Sequence, residues 1–223
     1  MAELVGGAPG APERLGAAID MLDDPVAQAA AAQAQTMALI GQGRLPDALA
    51  TIERVRRAVA GHERELVMLD ALQLILAMTS IDLDAERERA VARLRAALQS
   101  ARPDAAETRG AAMLLAAVDG IAGTASSVVR AAVERAWGGG ALLHALGPEH
   151  VFCMFAGVTL LLARQLSATE ELTTQVADCA ASGGSVTGAC HAWMLRAAAR
   201  EAMGRLADAE ADIELTLHAR PHR

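Results

Sequence analysis

A short phrase near the start of the chain returns near its end, and this repeat constrains the fold more than any other feature. Residues 43–53 read GRLPDALATIE, and residues 204–214 read GRLADAEADIE. Weaker copies lie between them, with steps of 38, 42, 41 and 40 residues between the anchors Leu45, Leu83, Ala125, Leu166 and Leu206. A period of about 40 residues is typical of helix-pair solenoids. The repeat predicts an all-α chain, folded as a right-handed α-solenoid of about five antiparallel, tetratricopeptide-like helix pairs.

The composition fits helices that pack closely through small side chains. Hydrophobic residues make up 53% of the chain and aromatic residues only 2%. The net charge of −7 argues against a nucleic-acid surface, which needs clustered positive charge. No unbroken apolar run reaches the ~20 residues of a membrane span, and the N-terminus lacks the features of a secretion signal. Three cysteines, an odd number, favour a reducing, cytoplasmic setting.

The signals for helix starts and stops divide the chain into a lead and a repeat domain. Residues 1–23 are expected to hold a flexible lead over 6–12 and a helix over 13–22 that caps the first repeat. Residues 24–223 are expected to form the tetratricopeptide-like domain, since Asp24 and Pro25 supply an N-cap and a first-turn proline. The predicted helix pairs are 26–40 with 45–60, 62–79 with 82–99, 104–120 with 125–137, 148–164 with 168–181, and 185–203 with 207–219.

The two helices of each pair differ in their apolar pattern. The first helix is apolar on most sides, as residues 111–118 (AAMLLAAV) and 151–158 (VFCMFAGV) show. The second helix is amphipathic, and in the first pair its apolar stripe is Leu45, Leu49, Ile52, Val55 and Val59. We therefore expect the first helices to pack between neighbours and the second helices to face outward.

Residues with catalytic or metal-binding chemistry do not form a recognisable set. The cysteines and histidines lack a CxxC spacing, which favours core thiols and ordinary histidines over zinc ligands. The sequence contains no Lys, which excludes a Walker loop at Gly138-Gly139-Gly140 and lysine Schiff-base catalysis. Because no acid, base and nucleophile converge, we expect a protein that is not an enzyme and that has no cofactor or metal.

One face of a predicted first helix is a candidate binding surface. Trp193, Arg196 and Arg200 follow i, i+3, i+7 spacing, so they share a face of a helix that would line a solenoid groove. An indole beside two guanidinium groups can hold an acidic or sugar-like ligand. The alternative is that Trp193 packs in the interior and that the arginines pair with Glu201 or with a neighbouring repeat. Weaker candidates in the preceding pair are His150, Phe152 and Phe155.

Several phrases along the chain carry a family resemblance. They are 134–143 (ERAWGGGALL), 160–172 (LLLARQLSATEEL), Gly184-Ser185, Ala192-Trp193 and 204–212 (GRLADAEAD). Together they resemble the helical-repeat region of large ATP-dependent LuxR-family transcription regulators, the MalT-like group, over most of the chain from about Asp24. The resemblance implies effector sensing or self-association. It does not imply ATP hydrolysis or DNA contact by this chain, because the sequence has no P-loop and no helix-turn-helix phrase after Ala207.

The apolar pattern of the last predicted helix indicates an interaction surface. Leu206, Ile213 and Leu217 form a stripe, and solenoid ends need caps. We expect this stripe to belong to a longer protein, or to be covered by a partner or a second copy.

Two functions stay open. The first is a sensor and interaction segment of a LuxR-type regulator, with a small-molecule effector as a further ligand. The second is a free-standing tetratricopeptide-like adaptor that binds a peptide or protein in its groove. Both predict protein partners or self-association, through the solenoid ends or the groove, and neither predicts contact of this chain with nucleic acid or a membrane.

Overall fold

The computed structural model describes residues 10–100 and 102–219, apart from the side chain of Ile81. Every regular element in these ranges is helical, with twelve α-helices and one short 3-10 helix, which confirms the predicted all-α fold. The chain divides into two compact units, Met1–Ala101 and Arg102–Arg223. Within the described ranges, no helix is both long enough and apolar enough to cross a membrane.

The described residues of the first unit form five α-helices, each of which packs against the next one along the chain. They are α1 (Ala11–Met21), α2 (Pro25–Gly41), α3 (Leu45–Ala58), α4 (Glu63–Ala77) and α5 (Asp84–Ser100), with the 3-10 helix over Ile81–Leu83 before α5. α4 is buried without interruption from Leu69 to Ala77, whereas α5 buries Ala90 and Leu94. This contrast follows the apolar patterns of first and second helices. Most of the predicted flexible lead, 6–12, lies outside the described residues, and the domain boundary at residue 24 stays a prediction.

Between residues 102 and 219, the second unit has seven α-helices. They are α6 (Ala106–Ile121), α7 (Ser126–Trp137), α8 (Ala141–Leu146), α9 (Val151–Leu162), α10 (Leu166–Gly183), α11 (Val186–Ala202) and α12 (Leu206–His218). The helices of each pair contact one another, and the first helices also contact the next first helix, α6 with α9 and α9 with α11.

Helix α8 is absent from the sequence prediction. Gly138, Gly139 and Gly140 have φ of 60°, 63° and 95°, so α7 stops there as predicted. The six-residue α8 follows, and it buries Leu142 and Leu143. Such a helix is too short to show apolar periodicity, so the sequence pattern does not reveal it.

Four turns from a first helix to a second helix share one hydrogen-bond arrangement. In each turn, a backbone N–H just past the helix donates to the carbonyl five residues earlier; for Arg44 to Leu39 the N···O distance is 2.9 Å, and for Arg205 to Arg200 it is 2.8 Å. The residue before each donor has a left-handed backbone, which glycine adopts without steric cost. These residues are Gly43, Gly123, Arg164 and Gly204.

The repeated phrase builds this turn and the first turn of the next helix. Arg44 Nε donates to Asp47 Oδ2 at 2.8 Å, and Arg205 Nε donates to Asp208 Oδ2 at the same distance. Each arginine also bonds an acid on a helix before the pair. These acids are Glu13 on α1 and Glu170 on α10. The phrase is therefore a structural joint, and α1 contacts the pair α2–α3 as α10 contacts the pair α11–α12.

Candidate functional site

The three principal candidate residues lie in the middle of α11. Ser185 caps this helix, because its side chain accepts a hydrogen bond from the Gly188 N–H at 3.0 Å. Trp193, Arg196 and Arg200 are all half-buried on α11. The two guanidinium groups point to the same carboxylate, which belongs to α12.

Arg196 makes a two-pronged ion pair with Asp212. Its Nε lies 3.0 Å from Asp212 Oδ2 and its Nη2 lies 2.7 Å from Oδ1, while its Nη1 donates to Thr174 Oγ1 at 3.3 Å. Asp212 is 1% exposed. A bidentate pair of this kind satisfies both carboxylate oxygens and fixes the guanidinium plane.

Arg200 extends the arrangement to α10. Its Nη1 donates to Asp212 Oδ2 at 2.8 Å and its Nε donates to Glu170 Oε1 at 2.8 Å. Arg205 Nη1 completes the set by pairing with Glu170 Oε2 at 2.7 Å. We call Glu170, Arg196, Arg200, Arg205 and Asp212 the α10–α12 ion-pair network, because it joins these three helices.

This geometry bears directly on the two sequence interpretations of the arginines. In the described part of the chain their carboxylate partners are Asp212 and Glu170, not Glu201. An anionic ligand would have to displace Asp212, and leaving a buried carboxylate unpaired costs about 3–5 kcal/mol. The network is thus a strong structural joint, and ligand binding by Trp193, Arg196 and Arg200 stays a prediction.

His150 and Phe155 lie at the start of α9. His150 is the N-cap, and its Nδ1 accepts a hydrogen bond from the Phe152 N–H at 3.3 Å. Burial lowers the pKa of His150, which favours the neutral ring that this bond requires. Phe152 packs against Gly110 of α6, where a Cβ would lie 2.1 Å from the ring. Phe155 is half-buried, and the binding role predicted for it and for His150 stays untested.

Cys153 and His191 line a small cavity between α9, α10 and α11, together with Pro148, Thr173 and Leu195. Its volume is about 10 Å³, which is room for one water molecule. Burial raises the pKa of Cys153 to about 12, so the thiol is protonated at neutral pH. Among the residues that the structure describes, no three His, Cys, Asp or Glu side chains are grouped for a metal.

The outward side of α12 is the other candidate. Leu206 is 66% exposed, Ile213 is 51% exposed and Leu217 is 58% exposed, and Glu210 lies between them in the same i, i+4, i+7, i+11 series. We call these four residues the α12 outer face. Ala209 and Asp212 are the buried residues of this helix. The apolar stripe predicted from the sequence is therefore exposed.

The repeated phrase identifies the corresponding residues of α3. Counting from Gly43 and from Gly204, the α12 outer face corresponds to Leu45, Leu49, Ile52 and Arg56. Ile52 is 0% exposed, and Leu45 and Leu49 pack against the core cluster that includes Leu69, Leu72 and Leu76 of α4. The same series of positions thus packs against the core of the first unit in one pair and is exposed in the other.

Comparison with protein-family models, with curated proteins and with solved structures gives no significant match. The resemblance to LuxR-type regulators consequently stays a prediction from the sequence phrases.

Proposed function

We propose that this chain is a non-catalytic, cytoplasmic interaction segment that binds another polypeptide helix on the α12 outer face. The observation that carries the proposal is the contrast between Ile213, 51% exposed, and Ile52, 0% exposed, at the same place in the repeated phrase. Exposed apolar patches on soluble domains mark interaction sites. The docked helix would cover α11 and α12 as α4 covers α2 and α3.

The proposal includes a finer description of the fold. We infer that the helix pairs are units of a right-handed, tetratricopeptide-like α-solenoid of about five pairs. The contacts of α2 with α4, and of α6 with α9 and α9 with α11, support this inference, because successive first helices contact one another in stacked helix pairs.

Binding of a polypeptide accounts for the two candidate surfaces better than chemistry on a small molecule does. The guanidinium groups of Arg196 and Arg200 are held by Asp212 and Glu170, and the α9–α11 cavity has room for only about one water molecule. The α12 outer face, by contrast, presents apolar side chains to solvent. Burying Ile213 and Leu217 would contribute about 1 kcal/mol each at half exposure.

The sequence resemblance suggests where this interaction belongs. We propose that the chain serves as the sensor and interaction segment of a LuxR-type, MalT-like regulator, in which the docked helix comes from another part or copy of the regulator. The DNA on both sides of the reading frame tests this step. Flanking ATPase and helix-turn-helix segments support it, whereas their absence would favour a free-standing adaptor.

A site-specific photocrosslinker tests the interaction itself. Placed at Ile213 in the host cell, it should capture a defined protein or a second copy, while the same group at Leu162, 60% exposed on α9, should not. The captured protein, purified, should bind the wild-type chain and should lose at least about tenfold in affinity for Ile213→Ser. Identical capture at both positions, or equal binding by the variant, would overturn the proposal.

A further inference from the structure

The α12 outer face differs from the corresponding residues of α3 at two of its four positions. Leu49 of α3 is replaced by Glu210 of α12, and Arg56 of α3 is replaced by Leu217. The other two positions keep their apolar character, as Leu45 with Leu206 and Ile52 with Ile213. A helix suited to α3 is therefore unsuited to α12 at two defined points.

In the first unit, each of these two positions has a matching environment. Leu49 packs against the apolar core cluster to which Leu69 and Leu72 of α4 belong. Arg56 Nη1 pairs with Asp70 Oδ1 of α4 at 2.6 Å, and Asp70 is 5% exposed. The covering helix thus offers a carboxylate to Arg56, while Leu49 packs against the apolar core cluster of the first unit.

On α12, the residues at both positions require partner side chains of the opposite character to those that suit α3. A carboxylate opposite Leu217 would be buried without a partner, and an apolar side chain opposite Glu210 would desolvate an acid without compensation. Glu214, exposed one turn beyond Glu210, adds a second negative charge beside the stripe. The surface therefore favours a cation at the position where Leu49 meets the apolar core cluster, and an apolar side chain at the position where Arg56 meets Asp70.

We propose that the occupant of the α12 outer face is an amphipathic helix with Arg or Lys beside its apolar stripe, facing Glu210 and Glu214, and an apolar side chain facing Leu217. This inference rests on the proposed docking function and specifies its partner. Charge complementarity separates this occupant from a second copy of α12, which would bring Glu210 and Glu214 against like charges.

Two synthetic helical peptides of about five turns test the charge preference. They share one apolar stripe and differ only in the flanking residues, which are Arg in one peptide and Glu in the other. Fluorescence anisotropy should show the Arg peptide binding the wild-type chain about fivefold to tenfold more tightly at low salt. At about 0.5 M salt the two affinities should converge, because the Debye length falls well below the separation of exposed charges.

Variants of the full chain test whether the α12 outer face causes the preference for the Arg peptide. Glu210→Leu, which restores the residue of α3, should remove most of the preference for the Arg peptide. The matched control Glu171→Leu, another exposed acid of the second unit, should retain it. Circular dichroism confirms that both variants are folded.

The outcomes separate this inference from the proposed function. Equal binding of both peptides, tighter binding of the Glu peptide, or no binding of either would overturn the basic-helix inference. A photocrosslink from Ile213 to a second copy of α12 would overturn it as well. None of these results contradicts the docking function itself, since the crosslinking test of that function depends on Ile213 and not on the charge of the partner.

Discussion

The helix pairs α2–α3 and α11–α12 have the same phrase at their joints and different chemistry in their interiors. Gln35 and Arg196 lie eight residues before the glycine of the phrase, and Thr51 and Asp212 lie eight residues after it. In the first pair Thr51 Oγ1 lies 3.4 Å from Gln35 Oε1, so the contact is neutral. In the last pair Arg196 and Asp212 form a bidentate ion pair.

The repeated phrase thus sets where these two polar side chains lie in each helix pair. It does not set which kind of interaction they form. In each helix pair, two polar side chains occupy equivalent positions, and the two side chains contact each other there. A neutral contact tolerates the loss of one member, whereas a buried ion pair does not. The two pairs should consequently respond very differently to the same kind of substitution.

The largest expected difference is between Asp212→Ala and Thr51→Ala. Asp212→Ala removes the carboxylate that holds both Arg196 and Arg200, so we expect a loss of about 3–5 kcal/mol in the free energy of unfolding. Thr51→Ala should cost about 1 kcal/mol. Urea unfolding followed by tryptophan fluorescence reports on the second unit, which contains both tryptophans, and hydrogen exchange reports on the first.

Transplanting the neutral pair provides the control for this prediction. Arg196→Gln combined with Asp212→Thr should recover most of the lost stability, because no buried charge is left unpaired and Arg200 keeps Glu170. Equal costs for Asp212→Ala and Thr51→Ala would contradict the contrast between the pairs.

The next effect compares Ile52 of α3 with the corresponding residue of α12, Ile213. Ile52→Ala should destabilise the first unit by about 2–4 kcal/mol, because the side chain is fully buried. Ile213→Ala should change the stability of the isolated chain by less than about 1 kcal/mol, because half of the side chain is already exposed. Hydrogen exchange of peptides from α3 and α12 measures both. A large cost at Ile213 would indicate that α12 is covered within the chain.

A smaller effect tests the four equivalent turns. Arg164 has a φ of 60° where the other three turns have glycine. Arg164→Gly should raise the free energy of unfolding by about 1 kcal/mol, and Gly204→Ala should lower it by a similar amount, because a Cβ is disfavoured in this backbone region. Thermal unfolding measures both variants. A destabilised Arg164→Gly would show that the arginine side chain outweighs its backbone strain.

The smallest effect is a difference in pH response between the units. Burial lowers the pKa of His150 and His191, both in the second unit, whereas the first unit has only the exposed His62. Their contribution to stability is fully present above the ordinary pKa of 6.5 and is lost as the pH falls towards the lowered values. The second unit should therefore lose stability as the pH falls below about 6.5.

Two histidine variants check the origin of this pH response. His150→Asn keeps an N-cap acceptor. Combined with His191→Gln, it should flatten the pH dependence of the free energy of unfolding of the second unit, which tryptophan fluorescence measures. His144→Gln, at an exposed position, is the matched control. An unchanged slope in the double variant would assign the response to other groups.

Much of the fold is predictable from local signals in the sequence. The helix boundaries follow from glycines at turns, from Pro25 after Asp24, and from the apolar period, all of which act within a few residues. The sequence does not predict α8, because this helix is too short to have an apolar period. It also does not predict the left-handed backbone of Arg164, because an arginine in this conformation has no sequence signature.

The candidate site is less predictable, because its properties depend on partners distant in the chain. The spacing of Trp193, Arg196 and Arg200 correctly places them on one helix, but the sequence alone cannot pair Arg200 with Glu170, thirty residues earlier. The apolar pattern of α12 does not show that Ile213 is exposed, because Ile52 has the same place in the phrase and is buried.

The sequence by itself determined the all-α fold, the positions of the joints and the division between first and second helices. These features depend on periodicity, on backbone freedom at glycine and on capping, which act locally. Only the tertiary structure decided that Arg196 and Arg200 share Asp212, that Cys153 is a buried thiol, and that one of two equivalent stripes faces solvent. Burial and charge pairing are set by neighbouring helices, and local sequence does not encode which helix that neighbour is.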